Sequence, residues 1–154
     1  MEYIAVKWLH ILSSTLLFGT GIGSAFYMLF TSLSRDVRAI AVVSRYVVLA
    51  DWVFTTPTII LQPLTGFYLM YLAGYPLTSS WILWSIVLYF VAGACWLPVV
   101  WLQIKMQGFA HAAVQENKAL PAAYWRYMKI WVALGIPAFV SLVVVFYLMV
   151  AKPA

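Results

Sequence analysis

The chain is 154 residues long, 66% hydrophobic and 18% aromatic, with charged side chains at only 8% of positions. A soluble domain is about one quarter charged, so too few charges are present to wet a globular surface, and disordered, collagen-like and coiled-coil readings fail on the same composition. The net charge of +5 comes from Lys and Arg scattered near the ends of apolar runs, which fits a bilayer and not a nucleic-acid partner.

A mean hydropathy of +0.97 makes lipid the expected solvent, and a helical span takes about 20 residues. Four spans fit with short loops. The predicted fold is all-α, a single polytopic membrane domain built as a bundle of four transmembrane helices at about residues 3–31, 42–72, 79–104 and 122–150. The first run carries Lys7 and His10. It extends beyond the apolar region of a secretory signal and has no small-residue cleavage site, so it is expected to stay in the mature protein. A basic break with Arg35, Asp36 and Arg38 follows. The second run ends at Gly74-Tyr75-Pro76, a break without charge. The third passes at Lys105 into a polar stretch that lasts to Leu120, and the fourth starts after Pro121, a favoured first-turn residue. Arg35, Arg38 and Arg45 flank the first break, and Lys105, Lys118, Arg126 and Lys129 flank the third. The positive-inside rule therefore predicts that these two breaks are cytoplasmic and both termini periplasmic. Pro57, Pro63, Pro98 and Pro137 lie inside the last three spans, where kinks are expected.

Lipid-facing surfaces can be uniformly apolar, so polar residues at helical spacing mark an interior. Asp51, Thr55, Thr58, Gln62 and Thr65 advance by steps of four and three and share one face. His10, Ser13, Ser14, Gly21, Ser24 and Met28 form a similar stripe on the first span. Ser85, Tyr89, Trp96 and Gln103 do so on the third, and the fourth contributes Ser141. For the Ser and Thr positions the simplest role is interhelical hydrogen bonding. Gly19-x-x-x-Gly23 is a helix-packing spacing, and glycine at Gly21 equally makes room for a flat cofactor.

His10 is the sharpest candidate, because polar groups within lipid are functional suspects and neutral imidazole is a common metal and haem ligand. The competing role is a structural hydrogen bond to a neighbouring Ser or carbonyl. His111 follows the opposite end of the third span, so most of a bilayer, about 30 Å, separates it from His10. Met70 and Met149 end their spans near the level of His10 and are candidates for a second axial ligand, although methionine in an apolar helix usually packs. A five-coordinate site or a ligand from another subunit stays open. Asp51 is expected either in an ion pair with Arg45, Arg126 or Lys129, or in proton handling. Gln62 on the same face is a candidate to bond a quinone, a porphyrin substituent or a neighbouring helix. Cys95 stands alone, which excludes a disulfide framework and a cysteine-based metal site.

Lys7-Trp8-Leu9-His10-Ile11, Asp51 with Thr55, Gln62-Pro63-Leu64-Thr65-Gly66, Cys95-Trp96-Leu97-Pro98, and Leu148-Met149-Val150 with Lys152-Pro153 together resemble an uncharacterised family of predicted bacterial integral membrane proteins over nearly the whole chain. That family is distantly similar to the CopD copper-resistance membrane domain and to HemJ-type protoporphyrinogen oxidase, which share an early Leu-His pair, here Leu9-His10. The resemblance implies a multi-pass protein of the bacterial inner (plasma) membrane in which His10 holds haem b or copper and serves electron transfer to a quinone or another membrane acceptor. The HemJ pattern continues with Trp, Arg and a second His. Here Leu16-Leu17-Phe18-Gly19 and Gly23-Ser24-Ala25-Phe26-Tyr27 contain none of these, so the resemblance does not extend to protoporphyrinogen oxidation.

Three functions follow as expectations. The first is a haem-binding membrane oxidoreductase, with His10 as metal ligand and Asp51 and Gln62 assisting protons or substrate. The second is a non-catalytic accessory or assembly subunit of a larger membrane complex or homo-oligomer. The third is a carrier or copper-handling protein, which lacks the expected repeats and Met or Cys ladders.

Overall fold

The computed structural model describes residues 1–153. It is helical throughout: α1 (Glu2–Ser34), α2 (Val37–Ala50), a π-helical turn (Asp51–Thr55), α3 (Thr56–Ala73), α4 (Ser80–Gln115) and α5 (Ala122–Ala151). Three of them, α1, α4 and α5, are long and apolar enough to cross a membrane. The remaining rod, from 37 to 73, runs without a break through the π turn.

Each connection has a local cause. Arg35 closes α1 in the left-handed conformation at φ 59°, and Asp36 then caps α2 by accepting the amides of Arg38 and Ala39 at 3.0 and 3.1 Å. Gly74 ends α3 at φ 69°; the Tyr75 amide reaches back to the Met70 carbonyl at 3.1 Å, a closure that favours glycine. Asn117, also left-handed at φ 52°, ends α4, and the Lys118 amide bonds the Ala113 carbonyl at 2.9 Å.

Two boundaries differ from the sequence expectation. The first concerns α4, which does not stop at Lys105 but stays helical to Gln115. Met106, Ala110 and Ala113 recur at steps of four and three and are buried, as are Tyr124 and Met128 of α5, so a helix is favoured although its outer face is polar. In the same way α2 starts at Val37, five residues ahead of the expected position, because Ile40, Ser44 and Val47 form a buried stripe while Arg38 and Arg45 stay exposed. A rod of 36 residues is about 54 Å long against a hydrocarbon core of about 30 Å. These helices therefore tilt or project beyond the core.

The largest interface joins α4 and α5, and α1 packs on α3, α2 on α4. The apolar core lies toward the end formed by the α1–α2 and α4–α5 connections and includes Met28, Ile40, Met106, Ala110, Tyr124 and Trp131. There the Ser32 hydroxyl donates to the Met28 carbonyl, and Tyr124 Oη lies 2.7 Å from Ser32 Oγ. The other half of the bundle is buried on hydroxyls and amides instead: Ser13, Thr58, Gln62, Thr65, Ser85 and Ser141. At that far end the Tyr68 hydroxyl donates to Glu2. The Lys152 ammonium sits over the rings of Tyr75 and Trp81 at 5.1 and 5.6 Å. Both ends of the described chain thus share a side with the α3–α4 connection.

The π turn follows from Pro57. Proline lacks the amide that would bond the carbonyl four residues earlier, and its ring crowds that carbonyl. The ladder widens, and the Thr56 amide and hydroxyl both turn to the Asp51 carbonyl, the hydroxyl at 2.9 Å. Pro63, Pro98 and Pro137 sit within helices that continue past them.

Candidate functional site

The expected stripe on the second rod is entirely buried: Asp51, Thr55, Thr58, Gln62 and Thr65 all face the interior. Its outer part meets α1 at His10. Thr65 Oγ1 lies 2.7 Å from His10 Nδ1 and also 2.7 Å from the Leu61 carbonyl. A hydroxyl has one proton, and a carbonyl can only accept it. Thr65 therefore donates to Leu61, and His10 Nδ1–H donates to Thr65. This fixes the tautomer and leaves Nε2 as the unprotonated ring nitrogen, which no hydrogen bond among the described residues engages. Gln62 anchors the backbone beneath the ring: its Nε2 donates to the His10 carbonyl at 2.9 Å and to Ser13 Oγ at 3.1 Å. Gly66 completes the seat, since a Cβ there would stand 3.3 Å from His10 Cε1.

The other expected residues are not gathered here. Asp51 lies 11 residues before Gln62, about 16 Å along the rod, so the two do not form one site. The expected ion pair of Asp51 is absent: Arg45, Arg126 and Lys129 are all exposed. Its carboxyl instead accepts from Thr55 Oγ1 at 2.8 Å, with Gln103 of α4 alongside. A salt bridge would demand bending these long cationic side chains into lipid; their ammonium and guanidinium groups stay at the interface instead. Met70 is five residues past Thr65, about 140° around α3 from the face that meets His10. Met149 is 38% exposed near the end of α5, which meets α1 where Phe139 and Phe146 pack on the Phe18 ring, eight residues along α1 from His10. His111 is exposed on the last turns of α4.

The glycines of α1 also depart from expectation. A Cβ at Gly19, Gly21 or Gly23 would meet nothing within 4 Å, so Gly19-x-x-x-Gly23 does not seat a helix of this chain. Gly23 lines an apolar groove of about 340 Å³ with Tyr27, Val43, Val47, Ala50 and Phe54. That groove begins at Thr20, about 15 Å down α1 from His10.

Two pairings were not read from sequence, although Tyr89 stands on the third span's polar stripe. Gly66 follows Thr65 in a quoted string, yet nothing in a lone glycine signals that an imidazole rests on it. The Tyr89 hydroxyl donates to the Ile59 carbonyl at 2.5 Å, and this carbonyl is the one left without an amide by Pro63, four residues on. A proline on one helix and a tyrosine at the matching depth of the next would have been the available signal.

Among the described residues no group of three or more His, Cys, Asp or Glu side chains converges. A bare ion at His10 would lack the three or more His, Cys, Asp or Glu ligands that a protein metal site commonly supplies. A porphyrin brings four nitrogens of its own and asks one axial base of the protein, which is what an oriented imidazole with a free Nε2 offers.

The helices and their buried polar stripes define an integral membrane protein. Residues 4–153 match the family described as "Predicted integral membrane protein (DUF2269)", and the chain belongs to that family. No curated protein and no solved structure matches it.

Proposed function

We propose that this chain is a four-span redox protein of the bacterial inner membrane that holds haem b through His10 and exchanges electrons with a quinone or another membrane acceptor. The single observation that supports this most is the His10–Thr65–Leu61 relay. Ligand imidazoles commonly donate their second N–H to a fixed acceptor, which orients the ring and raises its basicity. Here Thr65 is such an acceptor, Gln62 holds the backbone and Gly66 admits the ring. Bound haem would supply one-electron chemistry at iron. The chain's own share is to orient one imidazole, fix its tautomer and shield it within lipid. No second axial base stands beside His10 among the described residues, so the reading takes the site as five-coordinate or completed by another subunit. The distant similarity to the CopD and HemJ proteins through Leu9-His10 supports the same reading. So does the charge pattern, which orients both termini to the periplasm.

The test is the absorption spectrum of the full chain purified from haem-replete cells, with and without dithionite. A Soret band that sharpens on reduction and is lost in His10→Ala is expected; a colourless wild-type preparation overturns the reading.

A second reading rests on the unfilled Gly19 and Gly23 face of α1. Small residues let helices approach closely in lipid, so this face suits an accessory subunit that docks on a partner helix. Co-purification of a stable partner in mild detergent, lost in Gly23→Leu, is its expected outcome.

A further inference from the structure

We infer that the basic end of the bundle is a docking surface for anionic phospholipid headgroups, centred on Arg35, Trp125 and Lys129. It uses no residue of the His10 site and does not depend on which leaflet that end faces. Seven of the nine Lys and Arg residues lie there, against two carboxylates, Asp36 and Glu116. Asp36 is turned to the amides of Arg38 and Ala39, and Glu116 holds Lys118 at 2.8 Å. No other ion pair forms among the described residues, so the remaining cations are left for an anion from outside the chain. The Arg35 guanidinium stands 5.6 Å from the Trp125 ring, which carries a charge from the α1–α2 connection onto α5. Lys129 follows Trp125 by four residues, one turn along the same face. Both cations are exposed and the indole is half-buried. A guanidinium offers two parallel N–H donors to phosphate oxygens, an ammonium adds a point charge, and an indole is at home among headgroups.

Depth places these groups where headgroups stand. The Tyr127 ring of α5 packs 5.7 Å from both Trp101 and Phe109 of α4. Lys105, midway between those two, is therefore level with Tyr127, and Arg126 and Lys129 lie within one turn of it. On α2, Val37 and Arg38 line one cavity with Ala113 and Val114 of α4. About two turns down each of these antiparallel helices, Arg45 comes level with Lys105. Arg45, Lys105, Arg126 and Lys129, all exposed, thus share one layer. A hydrocarbon core of about 30 Å takes about 20 helical residues, and that distance further along stand Tyr68 on α3, Trp84 on α4 and Tyr147 on α5. All three are exposed and of the types that gather at the opposite interface. The layer of cations is therefore one edge of the core. Retaining positive charge on one side of a membrane requires only the charges; the indole beside two cations that lack a carboxylate adds a place for one headgroup.

The test is native mass spectrometry of the full chain in detergent, titrated with dioleoyl phosphatidylglycerol or dioleoyl phosphatidylcholine, whose tails are identical. Tighter binding of phosphatidylglycerol is expected. A Lys or Arg near an anionic lipid surface contributes enough to change affinity about five-fold, so Arg35→Gln with Lys129→Gln should weaken phosphatidylglycerol by about 25-fold. Lys129→Arg should bind as wild type does. Lys7→Gln with Lys152→Gln removes the same charge at the other end and should leave binding unchanged. Equal binding of the two lipids overturns the proposal, and so does an equal loss in the two double variants, which would make net charge the cause. Displacement of the lipid by millimolar inorganic phosphate overturns it in favour of a site for free anions. Should the Arg35 and Lys129 double variant not fold, Lys129→Gln alone decides, with a five-fold loss expected and no loss overturning the site. None of these outcomes depends on whether the protein is coloured.

Discussion

At the scale of single residues, the behaviour of His10 is set by the atom on its far side. Thr65→Val keeps the shape of the side chain but removes the acceptor of the His10 Nδ1–H, so the ring loses its fixed tautomer. Losing such an outer partner typically costs about 10- to 100-fold in metal affinity. Haem titration into the apo chain should show a loss of that size in Thr65→Val and near wild-type affinity in Thr65→Ser. Gly66→Ala is expected to act through position instead. Its Cβ would stand 3.3 Å from the imidazole, tighter than ordinary contact, so the ring must shift. The expected readout is an altered Soret position, with affinity falling less than in Thr65→Val.

At the scale of helices, Pro63 and Tyr89 form a matched pair across α3 and α4. Tyr89→Phe strands the Ile59 carbonyl, and an unsatisfied buried acceptor costs about 1–3 kcal/mol. Pro63→Ala restores an amide to that carbonyl from within α3. The double variant is therefore expected to lose less than Tyr89→Phe alone, a non-additive cycle measurable by unfolding in mixed detergent. Tyr124→Phe should cost less, about 0.6 kcal/mol, because Ser32 still donates to the Met28 carbonyl. The polar stripe of the second rod was legible from spacing alone, because in lipid only an interior tolerates Asp51, Gln62 and three threonines on one face. The extent of α4 was not, because past Lys105 hydropathy falls although Met106, Ala110 and Ala113 still keep the helical step. The pairing of His10 with Thr65 was hidden for another reason: both stripes were visible, but periodicity within a helix says nothing of how two helices are aligned.

For the whole molecule, the contacts at the two ends fix which segments share a side without saying which side is which. Glu2 meets Tyr68 and Lys152 covers Tyr75 and Trp81, whereas Arg35 stacks on Trp125 at 5.6 Å at the opposite end. Seven of the nine Lys and Arg residues belong to that second end, and positive charge is retained on the cytoplasmic side. Cys95 is half-buried and is the chain's single cysteine, so Cys95→Ser gives a clean background for Leu77→Cys in the α3–α4 connection or Asn117→Cys in the α4–α5 connection. A membrane-impermeant maleimide added to intact cells should label Leu77→Cys and spare Asn117→Cys until the membrane is opened. The reverse pattern would turn the bundle over and put His10 near the cytoplasmic face. Equal labelling of both would mean that α4, the helix that separates the two positions, does not cross the bilayer.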